Sequence, residues 1–314
     1  MINFRFHLAS LIAIFLALAL GVVIGAGVID RGVVDALDNR LNRVEANANR
    51  IQDENDALRD ELSEKDGVIE SLGNQTVTGK LSNADVGLVA VRGVDGDRVE
   101  QTATSLRAAG ATVTGVLWLE SPWALDDDDE VTSLANVIGS SARRPTTLRT
   151  QAWEQIGTRL GQSPLTVAAG GDDLLRELDD AGFVSFEAPS TGGDLTQFPG
   201  VAASMVLIVG TDADVPTDDV VMPASTAIAG ERLALVAADL YAADAPDAGS
   251  RGSAFAELRN SALSTVVSTV DDLDRPQGPL TVTLALSALL RIPPDVGHYG
   301  LGTDTVLLPE PVAS

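Results

Sequence analysis

The chain has 314 residues, 45% of them apolar, which is enough for one or two domains with a real core and too apolar for disorder throughout. Asp and Glu outnumber Lys and Arg by 45 to 21, a net charge of −24, and the only basic cluster is Arg143 with Arg144; such a surface repels phosphate backbones and sets nucleic-acid binding aside. The absence of cysteine excludes disulfides, thiolate metal sites and cysteine nucleophiles, and two histidines with three methionines leave few ligands for a transition metal.

From Leu8 to Ile29 the run LASLIAIFLALALGVVIGAGVI carries no charge over 22 residues. As a helix it spans roughly 33 Å, a bilayer core, and it predicts a transmembrane anchor over residues 1–30. Arg5 before it and Asp30 after it place the N-terminus in the cytoplasm and the rest outside, a single-pass cell-membrane protein. Gly25, Ala26 and Gly27 are also small enough for a signal peptidase, so export to the envelope or outer membrane after cleavage is the alternative. The run exceeds the roughly 7 to 15 apolar residues of a signal-peptide core, which favours the anchor. Gly21 and Gly25 form a GxxxG pair of the kind that packs two membrane helices, although glycine is common in such helices anyway.

Residues 31–74 show apolar side chains at alternating spacings of three and four: Val34, Leu37, Leu41, Val44, Ala48, Ile51, Leu58, Leu62, Ile69 and Leu72. That heptad predicts a parallel coiled-coil stalk whose homodimer interface holds Leu37, Leu41, Val44, Ile51, Asn55, Leu58 and Leu62. Asn55 falls at an a position, where a lone buried amide costs stability but favours two in-register strands. Across such a dimer Arg40 would meet Glu45 and Glu54 would meet Arg59, whereas Glu61 would meet Asp66, so the pairing weakens away from the membrane. A helical hairpin, or a partner's helix in the same seam, satisfies the pattern as well.

After a turn-rich hinge at 73–82, residues 75–314 read as an extracytoplasmic α/β domain. DVGLVAV (85–91) is a buried-strand run, DRVEQTATSLRAAG (97–110) has helical spacing with a glycine stop, and ATVTGVLWL (111–119) is strand-like again. A βαβ unit implies a parallel sheet. DDLLRELDDAG repeats the helix, FVSF, ASMVLIVG and RLALVAA the strands, and PLTVTLALSALL (279–290) reads as a last helix. The fold class is therefore α/β: a transmembrane helix and a long coiled-coil helix, then a layered domain with a mainly parallel sheet.

The chemistry is sparse. No G-x-S-x-G elbow, H-E-x-x-H or C-x-x-C occurs, so no catalytic residue or cofactor-binding motif is assigned and the chain reads as non-enzymatic. The acidic run Asp126 to Glu130 lacks the ligand spacing of a calcium loop and reads as a solvated entry to a helix. Asp271 and Asp272, in STVDDLD, suggest either metal or acid-base work beside His298, or N-capping of the next helix. His298, in DVGHYGLG, lacks the partners that metal or base chemistry requires and reads chiefly as structural, with glycines turning the chain and Tyr299 packing on the core.

The anchor, the heptad stalk and above all the combination STVDDLD, GPLTVTLALSALL and GHYGLG resemble the mycobacterial copper transport protein family, MctB, of actinobacterial cell envelopes, over the whole chain. The resemblance implies copper efflux and homeostasis, for which an outer-membrane pore has been proposed, with copper as the one metal in question and His298, Met205 and Met222 as its only plausible soft ligands. Relatives are also connected with cell separation, which implies an alternative scaffold that binds an envelope partner controlling peptidoglycan hydrolases. The residues offer neither successive membrane strands nor a cluster of Cys, Met or His.

Overall fold

The protein is described by a computed structural model covering residues 4–163, 166–167, 173–189, 192–200, 203–246 and 248–309, with side chains at 26–36, 38, 70 and 74 outside the description. It divides into two compact units, Met1–Lys65 and Asp66–Ser314.

One helix, α1 (Phe4–Val77), makes up the described part of the first unit and enters the second. Its segment Phe4–Gly25 is long and apolar enough to cross a bilayer, with a mean hydropathy of 2.7. Beyond it Leu37, Leu41, Val44, Ile51, Leu58 and Leu62 are all exposed. The flanking charges pair along the helix: Arg50 with Glu54 at 2.8 Å, Arg59 with Asp56 at 3.1 Å, Lys65 with Glu61 at 2.6 Å. Asn55 Nδ2 donates to the Ile51 carbonyl at 2.8 Å. The helix persists into the expected hinge, as far as Val77, because Val77 and Leu81 are buried in the core of the second unit.

The second unit is a layered α/β fold. In chain order come β1 (Asp85–Val91), α2 (Gly96–Ala108), β2 (Thr112–Leu119), α3 (Asp128–Val137), α4 (Pro145–Leu160), α5 (Leu174–Asp180), β3 (Val184–Glu187), β4 (Ala203–Gly210), α6 (Val221–Gly230), β5 (Ala234–Leu240), α7 (Ala256–Arg259), β6 (Val267–Val270), α8 (Gly278–Leu289) and β7 (His298–Tyr299). The sheet order is β3-β2-β1-β4-β5-β6-β7, parallel except for the β2–β3 pair.

Both faces are covered, which is why the central strands read as unbroken apolar runs. Val86, Leu88 and Ala90 of β1 turn towards α2 and α8, where Leu106, Val282 and Leu286 meet them. Val89 and Val91 turn the other way, into a core that holds Trp123, Trp153 and Phe183; the Trp123 and Trp153 rings meet edge to face at 5.5 Å. Across this second layer Arg159 donates both Nε and Nη2 to Asp173, at 2.6 and 2.9 Å, a buried pair with every charge answered.

Two local readings are refined. The acidic run does lead into a helix: α3 opens on a capping box between Asp127 and Glu130. Asp271 and Asp272 do not cap α8, which starts at Gly278 with Gln277 at its N-cap and no side-chain cap, and Ser268 and Thr269 belong to strand β6.

Candidate functional site

Strand order reverses between β1 and β4, the switch point where open α/β sheets form their ligand crevice outside the carboxyl ends of the strands. A crevice of about 290 Å³ lies at those ends, where Asp95 and Arg98 follow β1, Gly210 and Asp212 close β4, Tyr241 follows β5, and Asp274 follows β6. Asp95 accepts from the Asp97 backbone N–H at 2.9 Å, so a carboxylate already answers the N-terminus of α2, and Asp97 sits in its first turn. This acidic crevice disfavours phosphates.

Next to it, at the ends of β5 and β6, the fold assembles a buried charged network. Asp271 is fully buried: Oδ2 accepts from Arg259 Nη2 at 2.9 Å, and Oδ1 accepts from the backbone N–H of Leu301 and Gly302 at 2.8 and 3.0 Å. Gly252, Gly300 and Gly302 all crowd this carboxylate, and a side chain at any of them would strike it. Asp274 takes a two-pronged grip from Arg251 at 2.6 and 2.9 Å, and Arg251 also donates to the Asp271 carbonyl and stacks on Tyr241 at 4.5 Å. Asp271 thus ties the loop before α7 and the strap after β7 to the end of β6.

Asp239, at the end of β5, is the exception. Only 2% of it is exposed, and its Oδ1 has no hydrogen-bond partner among the described residues. Burial, with Asp271 and Asp274 nearby, pushes its carboxyl up to about 7 against the pull of Arg251 and Arg259. Asp272 behaves similarly: burial raises it to about 6, Gln277 Nε2 donates to Oδ2 at 3.1 Å, and Oδ1 has no hydrogen-bond partner among the described residues.

His298 is joined to this network through Thr269. The Thr269 hydroxyl lies 3.0 Å from His298 Nδ1 and accepts from Arg259 Nε at 3.0 Å. Desolvation first, then the Arg259 charge, holds the imidazole below its ordinary value. Tyr299 packs into the core and its main chain receives the Asp271 N–H, as its place in GHYGLG suggested. Sequence reasoning missed Arg251, Arg259 and Asp239. Of these only Asp239 left a signal, as a charge ending an otherwise apolar strand.

A family model described as "Copper transport outer membrane protein, MctB" matches residues 1–309. The chain belongs to the MctB family. It is 27% identical over 315 residues to the copper transporter MctB of Mycobacterium tuberculosis (strain ATCC 25618 / H37Rv), covering 96% of this chain and 97% of that one. The Mycobacterium bovis protein of the same name gives the same figures, and that of Mycobacterium leprae is 27% identical over 317 residues. The match thus extends over α1 and the α/β domain alike.

The three soft ligands of this MctB-family chain lie on separate elements. Met205 is buried in the middle of β4, between Gly87 and Leu235; Met222 packs against the same core from the first turn of α6; His298 is on β7. Three strand spacings separate β4 from β7, roughly 14 Å, so the fold does not gather Met205 and His298 around one ion. No group of three or more His, Asp or Glu side chains suited to a metal occurs among the described residues.

Proposed function

We propose that the chain is a non-enzymatic, membrane-anchored envelope protein that works in copper transport and homeostasis. The observation that carries this is the family match across 1–309, with relatives of nearly equal length that are named copper transporters. In this reading Phe4–Gly25 anchors the chain in the cell membrane, the domain faces the envelope, and the heptad seam forms a parallel homodimer. Deleting the gene in its own host should raise cell-associated copper and copper sensitivity, and the full chain should restore both; unchanged copper content would overturn the reading. Titration of the full chain with copper under chelator competition separates direct handling from an indirect role. No binding tighter than micromolar would remove His298, Met205 and Met222 as ligands.

A second reading is favoured by the exposed seam of α1. A stripe of Leu and Ile side chains in water is unfavourable unless covered, and an envelope partner could cover it as well as a second copy. In this scaffold reading, changing Leu41, Ile51 and Leu58 to polar residues abolishes capture of the partner; retained capture would exclude it.

A further inference from the structure

On the side of the domain where His298 emerges, a cleft of about 330 Å³ is lined by Arg251, Ser253, Arg259, His298 and Asp304, among others. Its chemistry departs from the rest of this acidic chain. Arg259 spends Nε on Thr269 and Nη2 on Asp271, and its Nη1 makes no hydrogen bond among the described residues. Gly252, with φ of 78°, keeps that edge open, since a side chain there would meet Nη1 at 2.9 Å.

The Thr269 hydroxyl already accepts from Arg259, so its own proton is available for His298 Nδ1. Given to Nδ1, that proton leaves the ring proton on Nε2, which makes no hydrogen bond among the described residues. The charge that bears on His298 is that of Arg259, itself paired with Asp271, and Asp304 lines the same cleft. Both donors are held rigidly, Arg259 by the buried Asp271 and by the Phe255 ring at 5.6 Å, His298 by Thr269.

We propose that this cleft is a binding site for a monoanionic carboxylate, held between Nη1 of Arg259 and the Nε2–H of His298. A planar carboxylate has an oxygen to offer each of two N–H donors lining one cleft. A phosphate dianion would meet more repulsion, because Asp304 lines the cleft and Asp271 is paired with Arg259 behind it.

The chain has only two histidines, His7 and His298, which makes histidine-selective labelling of the full chain in detergent micelles a direct probe. Acetate at millimolar concentration should move the His298 nitrogen resonances, with His7 unmoved. Arg259→Lys keeps a counter-charge for Asp271 and should abolish the response, while a dispersed His298 signal shows that the domain is folded. His298→Gln should weaken acetate binding in calorimetry about tenfold. Acetyl-dialanine should bind where its C-terminal amide does not if the carboxylate belongs to a peptide end, and acetate alone should bind if it belongs to a small acid. No His298 response in folded protein, a proton found on Nδ1 rather than Nε2, or a response to phosphate but not acetate would overturn the proposal.

Discussion

The two units treat the same side chains in opposite ways. Leu37, Leu41 and Ile51 on α1 are 60%, 59% and 51% exposed, whereas Leu88, Leu117 and Ile208 in the sheet are sealed on both faces. A sheet with helices on each side closes on itself; a single helix cannot, because its apolar stripe runs along one face and a straight helix does not fold back to cover it. At about 25 cal/mol per Å² of apolar surface, the stripe represents several kcal/mol that only association can recover. The domain folds by internal packing, whereas α1 leaves its apolar seam exposed.

The sharpest way to break that comparison is to charge the seam. Leu41→Asp with Ile51→Asp should convert the full chain in detergent from dimer to monomer by light scattering, with the near-ultraviolet dichroism of the domain unchanged. A dimer that persists would mean that the seam is not the association surface. A smaller loss, confined to the domain, should follow Asp271→Ala. It leaves Arg259 without its counter-charge and Leu301 and Gly302 without their acceptor, and breaking a buried pair of this kind costs about 3 to 5 kcal/mol. Denaturant unfolding would measure it, and early proteolysis near residues 300–306 would locate it.

Asp239→Asn should act in the reverse direction. Burial raises the folded carboxyl to about 7 from an ordinary 3.8, so on raising pH the unfolded chain gives up this proton first. The contribution of Asp239 is intact below 3.8 and is lost as pH climbs through 7, with a slope of about 1.4 kcal/mol per pH unit at most. The asparagine cannot ionise, so the variant should be more stable than wild type at pH 8 and flatter across that window. Equal pH profiles would show that a water or a shift of Arg251 already satisfies Asp239.

How far each region was legible in the sequence follows the same division. Periodicity located β1, α2, β2, β4, β5 and α8, because buried parallel strands and amphipathic helices carry their pattern within a few residues. It passed over α4, whose pattern opens behind Arg143 and Arg144, and over β6 and β7, which are too short to show a period. Placing Asp271 and Asp272 before a helix suggested capping, but Pro279 in the first turn and a tight turn from Asp274 to Gln277 gave the helix another start. The charged network was illegible for a deeper reason: Arg251, Arg259, Asp239 and Asp271 converge only through the pairing of β5 with β6, a contact that no local pattern records.

The smallest expected effect tests whether charge or apolar surface organises the stalk. Arg50 and Glu54 pair at 2.8 Å along one face of α1, but both side chains are about 60% exposed and hydrated. Exposed pairs four residues apart contribute about 0.3 to 0.5 kcal/mol, and salt screens them further. Arg50→Gln should therefore lower the midpoint of helix unfolding slightly at low salt and not at all in concentrated salt, leaving the association state intact. If instead it dissociated the dimer, Glu54 would be answering a charge on the second copy, and the seam would owe its register to charges at its flanks and not to the leucines between them.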